Sequence, residues 1–372
     1  MSDANADDGA RIDRRAFAAL LGSAGVAGLA GCAGGGSGTP DGQTDAGGGS
    51  GGSTETAPLT VDGSSTVYPI TSDGASVWNS NPPADDEEYW GPGQYDIDTD
   101  ANMADYWAGR YGFSGEEGQP PFLVNVGLSH SGTGVTKVMN GQVDIGNSSA
   151  PVADELPDAD QSTLDTFVNH VVGVDGQPLV VSRAVYDAGV TKLTGDQLRA
   201  IYKGEIENWS EIPSYTGPDR EIQVVGRAEG SGTDTAFRAN LYGSADEPIP
   251  GVDIRKGQNQ QVQTLVANSD NAIAYLALAF VQSGGEVPPI ALEIDGTTYS
   301  YGENLSAKGY PLSRDLHCYT YDGTSEKEAA FLRMLVHDYG QATFVEPNNY
   351  FKLTQARQEE ELGKLPDPSE QS

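Results

Sequence analysis

An α/β fold follows from three features of this chain. From Phe122 onward, short apolar runs alternate with helix-forming ones. Three apolar runs end in turns rich in Ser, Thr and Gly that lead straight into helices, near residues 62–70, 129–135 and 225–237. Two capping boxes, Thr194 with Gln197 and Ser325 with Glu328, mark further helix starts. A length of 372 residues is enough for two domains with a sizeable core.

The chain begins with a targeting segment, residues 1–31. Asp13-Arg14-Arg15-Ala16-Phe17 opens a small-residue apolar run that ends in Leu29-Ala30-Gly31-Cys32. The paired arginines resemble a twin-arginine export signal, and Leu-Ala-Gly-Cys resembles a lipobox. The run is shorter than the ~20 residues a comfortable membrane span needs. Cleavage before Cys32 implies an exported protein whose lipidated cysteine anchors it on the outer face of the cytoplasmic membrane. Residues 32–57 have little to bury and read as a flexible Gly/Ser-rich tether.

Residues 79–120 form an acidic, aromatic-rich insertion, with Asp85-Asp86-Glu87-Glu88-Tyr89-Trp90 followed by Asp96, Asp98, Asp100 and Asp105-Tyr106-Trp107. The Ca²⁺-loop spacing is absent, so it reads as a solvated insertion whose aromatics pack on something. Beyond it, Phe122–Leu128, Phe167–Val174, Pro178–Val185 and Tyr310–Thr320 read as strands. Helices are expected over Thr136–Asn140, Asp196–Tyr202, Ala236–Leu241 and from Ser325 to Leu335, with a strand and helix in Asn271–Val281.

The turn Val225-Gly226-Arg227-Ala228-Glu229-Gly230-Ser231-Gly232-Thr233 organises the rest. It joins a strand end to a helix N-terminus, where unpaired N–H groups and the macrodipole attract anions. A guanidinium beside it adds a planar fork of donors suited to an oxyanion. Asp62-Gly63-Ser64-Ser65-Thr66-Val67 and Ser129-His130-Ser131-Gly132-Thr133-Gly134 repeat the pattern, and Asn147-Ser148-Ser149 ends another strand. One such turn is a helix cap; three in one chain indicate a shared anion site.

Composition agrees with export into a salt-rich medium. The net charge is −33, from 54 acidic against 21 basic residues, and the basic ones are eight Lys and thirteen Arg. Self-repulsion of this size is relieved when salt shortens the Debye length. No basic patch exists to bind nucleic acid. Four histidines at unrelated spacings argue against a metal site. If Cys32 carries lipid, Cys318 is left alone and reads as a buried small hydrophobe.

The ordered set DGSSTVYPI, SGTGV, GQVDIGNSSAPV, LTGDQLRAIYKGEIENWSEI, VVGRAEGSGTDTAF, NAIAYLALAF and YPLSRDL resembles the phosphate-binding proteins of phosphate ABC transporters, of haloarchaeal type. The resemblance runs from Leu59 to about Leu353, apart from the acidic insertion. It implies a type II periplasmic-binding-protein fold: two α/β domains, residues 58–176 plus 314–372 and residues 177–313, joined by two hinge crossovers near 172–181 and 312–319. It implies anion binding by Ser65, Thr66, Val67, Ser131, Ser149, Arg227, Ser231, Gly232 and Thr233, with Glu229 steadying Arg227. Ser149 departs from the pattern, because that position is an aspartate in the best-described members and accepts the proton of hydrogen phosphate. A hydroxyl can donate or accept, so discrimination against sulfate is weaker on this reading.

The function implied is capture of inorganic phosphate in an interdomain cleft and delivery to permease subunits, with no catalysis and no cofactor. The same fold could carry another oxyanion (tungstate, molybdate or sulfate). An exported phosphoester hydrolase would need a base beside Gly-Ser-Gly-Thr, and the sequence offers none nearby.

Overall fold

The computed structural model describes residues 57–368, apart from 283 and 308. The export segment, Cys32 and the tether up to residue 56 lie outside the described residues. The first half of the described chain comprises β1 (Leu59–Gly63), α1 (Tyr68–Ser80), α2 (Met103–Gly109), β2 (Val124–Val126), α3 (Ser131–Met139), β3 (Ile145–Ser148), α4 (Val152–Glu155), α5 (Gln161–Leu164) and β4 (Phe167–Gly176). Then come β5 (Leu179–Val181), α6 (Arg183–Asp187), β6 (Lys192–Thr194), α7 (Gly195–Lys203), β7 (Gln223–Arg227), α8 (Gly232–Tyr242), β8 (Ile254–Lys256) and α9 (Asn259–Ala267). The last elements used below are β9 (Ala272–Tyr275), β10 (Pro289–Ile294), β11 (Thr297–Tyr299), β12 (Ser313–Tyr321), α10 (Glu326–Val336) and α11 (Gln355–Leu362).

These strands make two sheets. One has the order β2-β1-β3-β12-β4, the other β11-β10-β5-β9-β7-β8 with β6 beside β10. In the first, β1 runs parallel to β2 and β3, with Val61 in register with Val126 on one side and Ile145 on the other. Leu59, Val61 and Gly63 are buried while Thr60 and Asp62 are half-buried, the period of two that a strand requires. The chain passes from the first sheet to the second between Gly176 and Leu179, and returns between Tyr299 and Ser313. The long strands at these crossings, β4 and β12, pair antiparallel from Gly176 opposite Ser313 to Phe167 opposite Tyr321. Mixed sheets flanked by helices, with two crossings, make this a type II periplasmic-binding-protein fold.

Both expected capping boxes form. Thr194 accepts from the Gln197 N–H at the start of α7, and Ser325 does the same for Glu328 at the start of α10. The buried face of α7 carries Leu198, Ile201 and Tyr202, at the spacing of three and four that one helix face allows. The strand expected over Pro178–Val185 stops at Val181. The Ser182 side chain takes the Ala272 N–H at 3.0 Å and donates to the Val266 carbonyl at 3.1 Å, and the chain turns into α6 at Arg183.

The acidic insertion has two sides. Asp85, Asp96, Asp98 and Asp100 are exposed, whereas Trp90, Met103, Trp107 and Tyr111 are buried in the main core. Trp90 meets Tyr339 edge-on at 5.0 Å and Trp107 at 6.1 Å. Each such side chain stabilises by roughly 1.5–3 kcal/mol on burial, so this segment is part of the core as well as of the surface. Cys318 is fully buried, as its apolar neighbours imply, with its thiol against the Asn147 side chain. Among the described residues, no helix is long and apolar enough to cross a membrane.

Candidate functional site

Because β1, β2 and β3 are parallel neighbours, their carboxyl ends share one edge, the place where open α/β sheets bind ligands. Gly63 makes the convergence possible. Its φ is +138° and a Cβ there would overlap the Asn147 carbonyl oxygen. Ser64 N–H donates to that same oxygen at 2.9 Å, and Ser129 N–H donates to Gly63 O at 2.8 Å. The Ser64 hydroxyl then donates to Ser149 Oγ at 3.0 Å, and Ser149 N–H to Ser131 Oγ at 3.1 Å.

From the other sheet, β7 ends at Arg227 and α8 begins at Gly232 with Ser231 as its N-cap. The two sets of turns touch. Gly132 N–H donates to Gly230 O at 3.2 Å. A Cβ on Gly232 would overlap Ser131 Oγ and come within 2.7 Å of Ser149 Oγ.

Three hydroxyls lie between two arginines and an amide. Ser65 Oγ accepts from Arg227 Nη2 at 3.1 Å and from Asn259 Nδ2 at 3.2 Å. Thr66 Oγ1 accepts from Asn259 Nδ2 and from Arg314 Nη2, both at 3.2 Å. Thr233 Oγ1 accepts from Arg227 Nη1 at 3.1 Å and from Arg314 Nη2 at 3.2 Å. A hydroxyl has two lone pairs and one proton. Each of the three has two N–H donors directed at its oxygen, so its proton is what it has left to offer. Thr66 and Thr233 lie 3.0 Å apart. That contact is itself a hydrogen bond and uses one of the trio's protons, so what capacity the hydroxyls keep is to donate.

The electrostatics point the same way. Arg227 is 1 % exposed, and its guanidinium also donates to the Lys256 and Gly257 carbonyls. Burial pulls its pKa down to about 10, with Arg314 adding to the pull and Tyr275 opposing it, so it stays charged at neutral pH. Arg314 donates to Asp175 Oδ2 through Nε at 3.0 Å and Nη2 at 2.7 Å. Burial pushes the Asp175 carboxyl up, against the pull of Arg314 and of the Leu278 N–H. Glu155 sits against Gly132 with both carboxyl oxygens sealed from solvent, and burial lifts its pKa to about 8. The His130 imidazole, packed against Gly257, is held below its usual pKa by burial and then by Arg227.

The residues expected to bind the anion fall together: Ser65, Thr66, Ser131, Ser149, Arg227, Ser231, Gly232 and Thr233 are all buried at these turns. Val67 is the N-cap residue of α1, with its side chain in the core. Glu229 is placed elsewhere. Ala228-Glu229-Gly230 is a turn with Gly230 at positive φ, and Glu229 is exposed on it. The group that steadies Arg227 is Asn259, whose Oδ1 accepts from Nη1 at 2.8 Å. Sequence reasoning missed Asn259, Arg314 and Asp175. Arg314 stands inside YPLSRDL, and its arginine between short strand residues was the available signal. Among the described residues, no group of three His, Cys, Asp or Glu is placed to hold a metal ion.

A family model described as a PBP superfamily domain matches residues 99–338. The phosphate-binding protein PstS of Bacillus subtilis is 32 % identical over 238 residues, 64 % of this chain and 74 % of that protein. PstS of Staphylococcus saprophyticus is 24 % identical over 258 residues, 66 % of this chain and 76 % of that one. Among solved structures, a putative phosphate ABC transporter substrate-binding protein from Clostridium perfringens with bound phosphate superposes with a TM-score of 0.59. It is 22 % identical, over 80 % of this chain and all of that one. An ABC-type phosphate transport receptor from Vibrio cholerae gives 0.53 at 23 % identity, over 79 % of this chain and all of that one. With the matched fold and the identity to the Bacillus protein together, this chain belongs to the PBP superfamily and to the PstS family of phosphate-binding proteins.

Proposed function

We propose that this protein captures inorganic phosphate between its two sheets and hands it to the membrane subunits of an ABC transporter. The observation that carries this reading is the trio Ser65, Thr66 and Thr233, each accepting two N–H bonds from Arg227, Arg314 or Asn259. A phosphate oxygen accepts without needing to donate, so it suits hydroxyls whose oxygens are already filled by N–H donors, beside two buried guanidiniums. Entry of the anion replaces the Thr66–Thr233 contact with two bonds to its oxygens. Ser131, Ser149 and the N-terminus of α8 are near enough to complete the coordination. On this reading residues 58–176 with 314–372 form one domain and 177–313 the other, closing about the crossings beside Gly176 and Ser313.

The reading is one of binding without chemistry. Glu155, which interacts with the Thr235 hydroxyl, is kept largely protonated at neutral pH by burial and so makes a poor base for the hydroxyls of these turns. Residues 13–17 and Cys32 support export and lipid attachment on the outer face of the membrane. The acidic, lysine-poor composition supports a salt-rich working medium.

Calorimetric titration of the purified protein in multimolar salt with phosphate, sulfate and tungstate tests the reading. Saturable phosphate heat that disappears in Arg227→Ala supports it. Binding of sulfate or tungstate in place of phosphate would reassign the cargo, and silence toward all three would remove the anion site.

A further inference from the structure

Arg314 feeds two of the three hydroxyls from the seam between the sheets. It is one residue inside β12, directly opposite Asp175 on β4, beside both crossings between the sheets. Its side chain is 4 % exposed and that of Asp175 is fully buried. The guanidinium reaches both sheets. Nη1 donates to Ser149 O at 3.2 Å and to Gly232 O at 2.9 Å, and Nη2 faces Thr66 Oγ1 and Thr233 Oγ1. Asp175 reaches across in turn, accepting from Leu278 N–H at 2.9 Å through Oδ1.

Two consequences follow from the chemistry of guanidinium. It donates and never accepts, so any hydroxyl it bonds is pushed toward using its own proton elsewhere. Thr66 and Thr233 are both in this position, and Thr233 is claimed by Arg227 as well. The second consequence is charge. Two buried guanidiniums share the acceptor Thr233 Oγ1, with one carboxylate, Asp175, in direct contact. That leaves an uncompensated positive charge in a buried site, which an anion neutralises.

We propose that Arg314 is a positioning residue of the anion site: it holds the Thr66 and Thr233 hydroxyls as donors and supplies a second positive charge that favours the phosphate dianion over the monoanion. The proposal rests on the phosphate-binding reading above. The charged and titratable groups facing Arg314 are Asp175 on β4, Arg227 on β7, Glu155 on α4, His317 on β12, and Tyr350. Of these, Asp175 touches it.

The test is phosphate titration by calorimetry across the pH range in which the monoanion becomes the dianion, for the full chain and for Arg314→Gln, Arg314→Lys and Asp175→Asn. Each is repeated in a Glu155→Gln background, so that the Glu155 proton does not shape the slope. Thermal melting of each variant reports folding. Arg314→Gln should weaken phosphate on the order of tenfold to a hundredfold, the range for a hydrogen bond to a charged group, and should flatten the preference for the dianion. Arg314→Lys keeps the charge and loses the fork, so affinity should drop while the pH slope survives. Asp175→Asn removes the compensating carboxylate, so dianion affinity should hold or rise. The two partners of one ion pair then act in opposite directions, which a purely structural pair does not do. Equal loss of affinity in Arg314→Gln and Asp175→Asn with the wild-type pH slope overturns the proposal. If Asp175→Asn does not fold, the slopes of Arg314→Gln and Arg314→Lys decide: identical slopes overturn it. Absence of phosphate heat in the wild-type chain would instead sink the phosphate reading itself, and this inference with it.

Discussion

The amide oxygen of Asn259 accepts from Nη1 of Arg227 at 2.8 Å, and that bond fixes which way the amide faces. Its nitrogen is then turned toward Ser65 and Thr66, to which it donates at 3.2 Å each. One side chain thus holds the guanidinium on one side and orders two hydroxyls on the other. Asn259→Ala should weaken phosphate on the order of tenfold or more, by removing donors that order both hydroxyls. Asn259→Asp should do worse, because a carboxylate there takes the hydroxyl protons for itself and adds like charge to the site. Calorimetry on the two variants ranks them, and an Asp variant that binds as well as wild type contradicts this account.

Arg227 spreads its guanidinium over Ser65, Thr233, Asn259 and two carbonyls. A lysine cannot reproduce that fork. Arg227→Lys is expected to lose at least about tenfold in phosphate affinity even though its charge is kept, since hydrogen bonds to charged groups are worth ~1.5–3 kcal/mol. Equilibrium binding at matched salt measures the loss.

Two glycines separate stability from binding. At Gly63 the backbone is left-handed and a methyl group would overlap the Asn147 carbonyl, so Gly63→Ala should cost about 2–4 kcal/mol of stability. At Gly232 the methyl group would meet Ser131 Oγ and Ser149 Oγ from the other sheet. Gly232→Ala should lose phosphate affinity, because it obstructs the approach of the two sets of turns, and should cost less stability than Gly63→Ala, because it meets serine side chains rather than backbone. Melting curves and binding isotherms on both variants should show the two effects uncoupled.

Ser149 lies 3.0 Å from the Ser64 hydroxyl and 3.3 Å from that of Ser131. Ser149→Asp places an acceptor-only group where hydrogen phosphate has a proton to give and sulfate has none. Phosphate binding should persist while sulfate competition, expected to be measurable in the wild type, falls by at least about tenfold, since like charge at contact costs several kcal/mol. Competition titrations with sulfate read this directly.

Burial lifts the Glu155 pKa to about 8 from an ordinary value of 4.5. Between those two values the folded chain holds a proton that the unfolded chain has released, so stability falls as pH rises through that window. It is fully present below the unfolded value. Denaturant unfolding of wild type against Glu155→Gln should show a difference that shrinks the wild-type stability progressively from about pH 4.5 to about pH 8. A difference independent of pH in this range would mean that the carboxyl is ionised in the folded state.

The parts of the site that were legible in the sequence are those whose signal is local. Ser65, Thr66, Ser131, Ser149 and the Arg227–Thr233 turn announce themselves by Ser, Thr and Gly between an apolar run and a helix. Asn259 opens a helix among Gln258, Gln260 and Gln261 and looks like any polar helix start. Its significance comes from Ser65 and Thr66, nearly two hundred positions away. Arg314 and Asp175 are likewise joined only by the pairing of β4 with β12. Glu229 was expected from the resemblance to steady Arg227, but the turn at Gly230 leaves it exposed. The acidic insertion shows the same limit, since its charges are visible in composition while the partner of Trp90, Tyr339, lies far along the chain.

The bond from Gly132 N–H to Gly230 O crosses from one sheet's turns to the other's with no side chain taking part. Substitutions other than proline at position 132 leave both atoms of that bond in place. An alanine scan therefore does not read its contribution directly. An ester in place of the Gly132 amide deletes the donor while preserving the chain's shape, which proline, with its ring, does not.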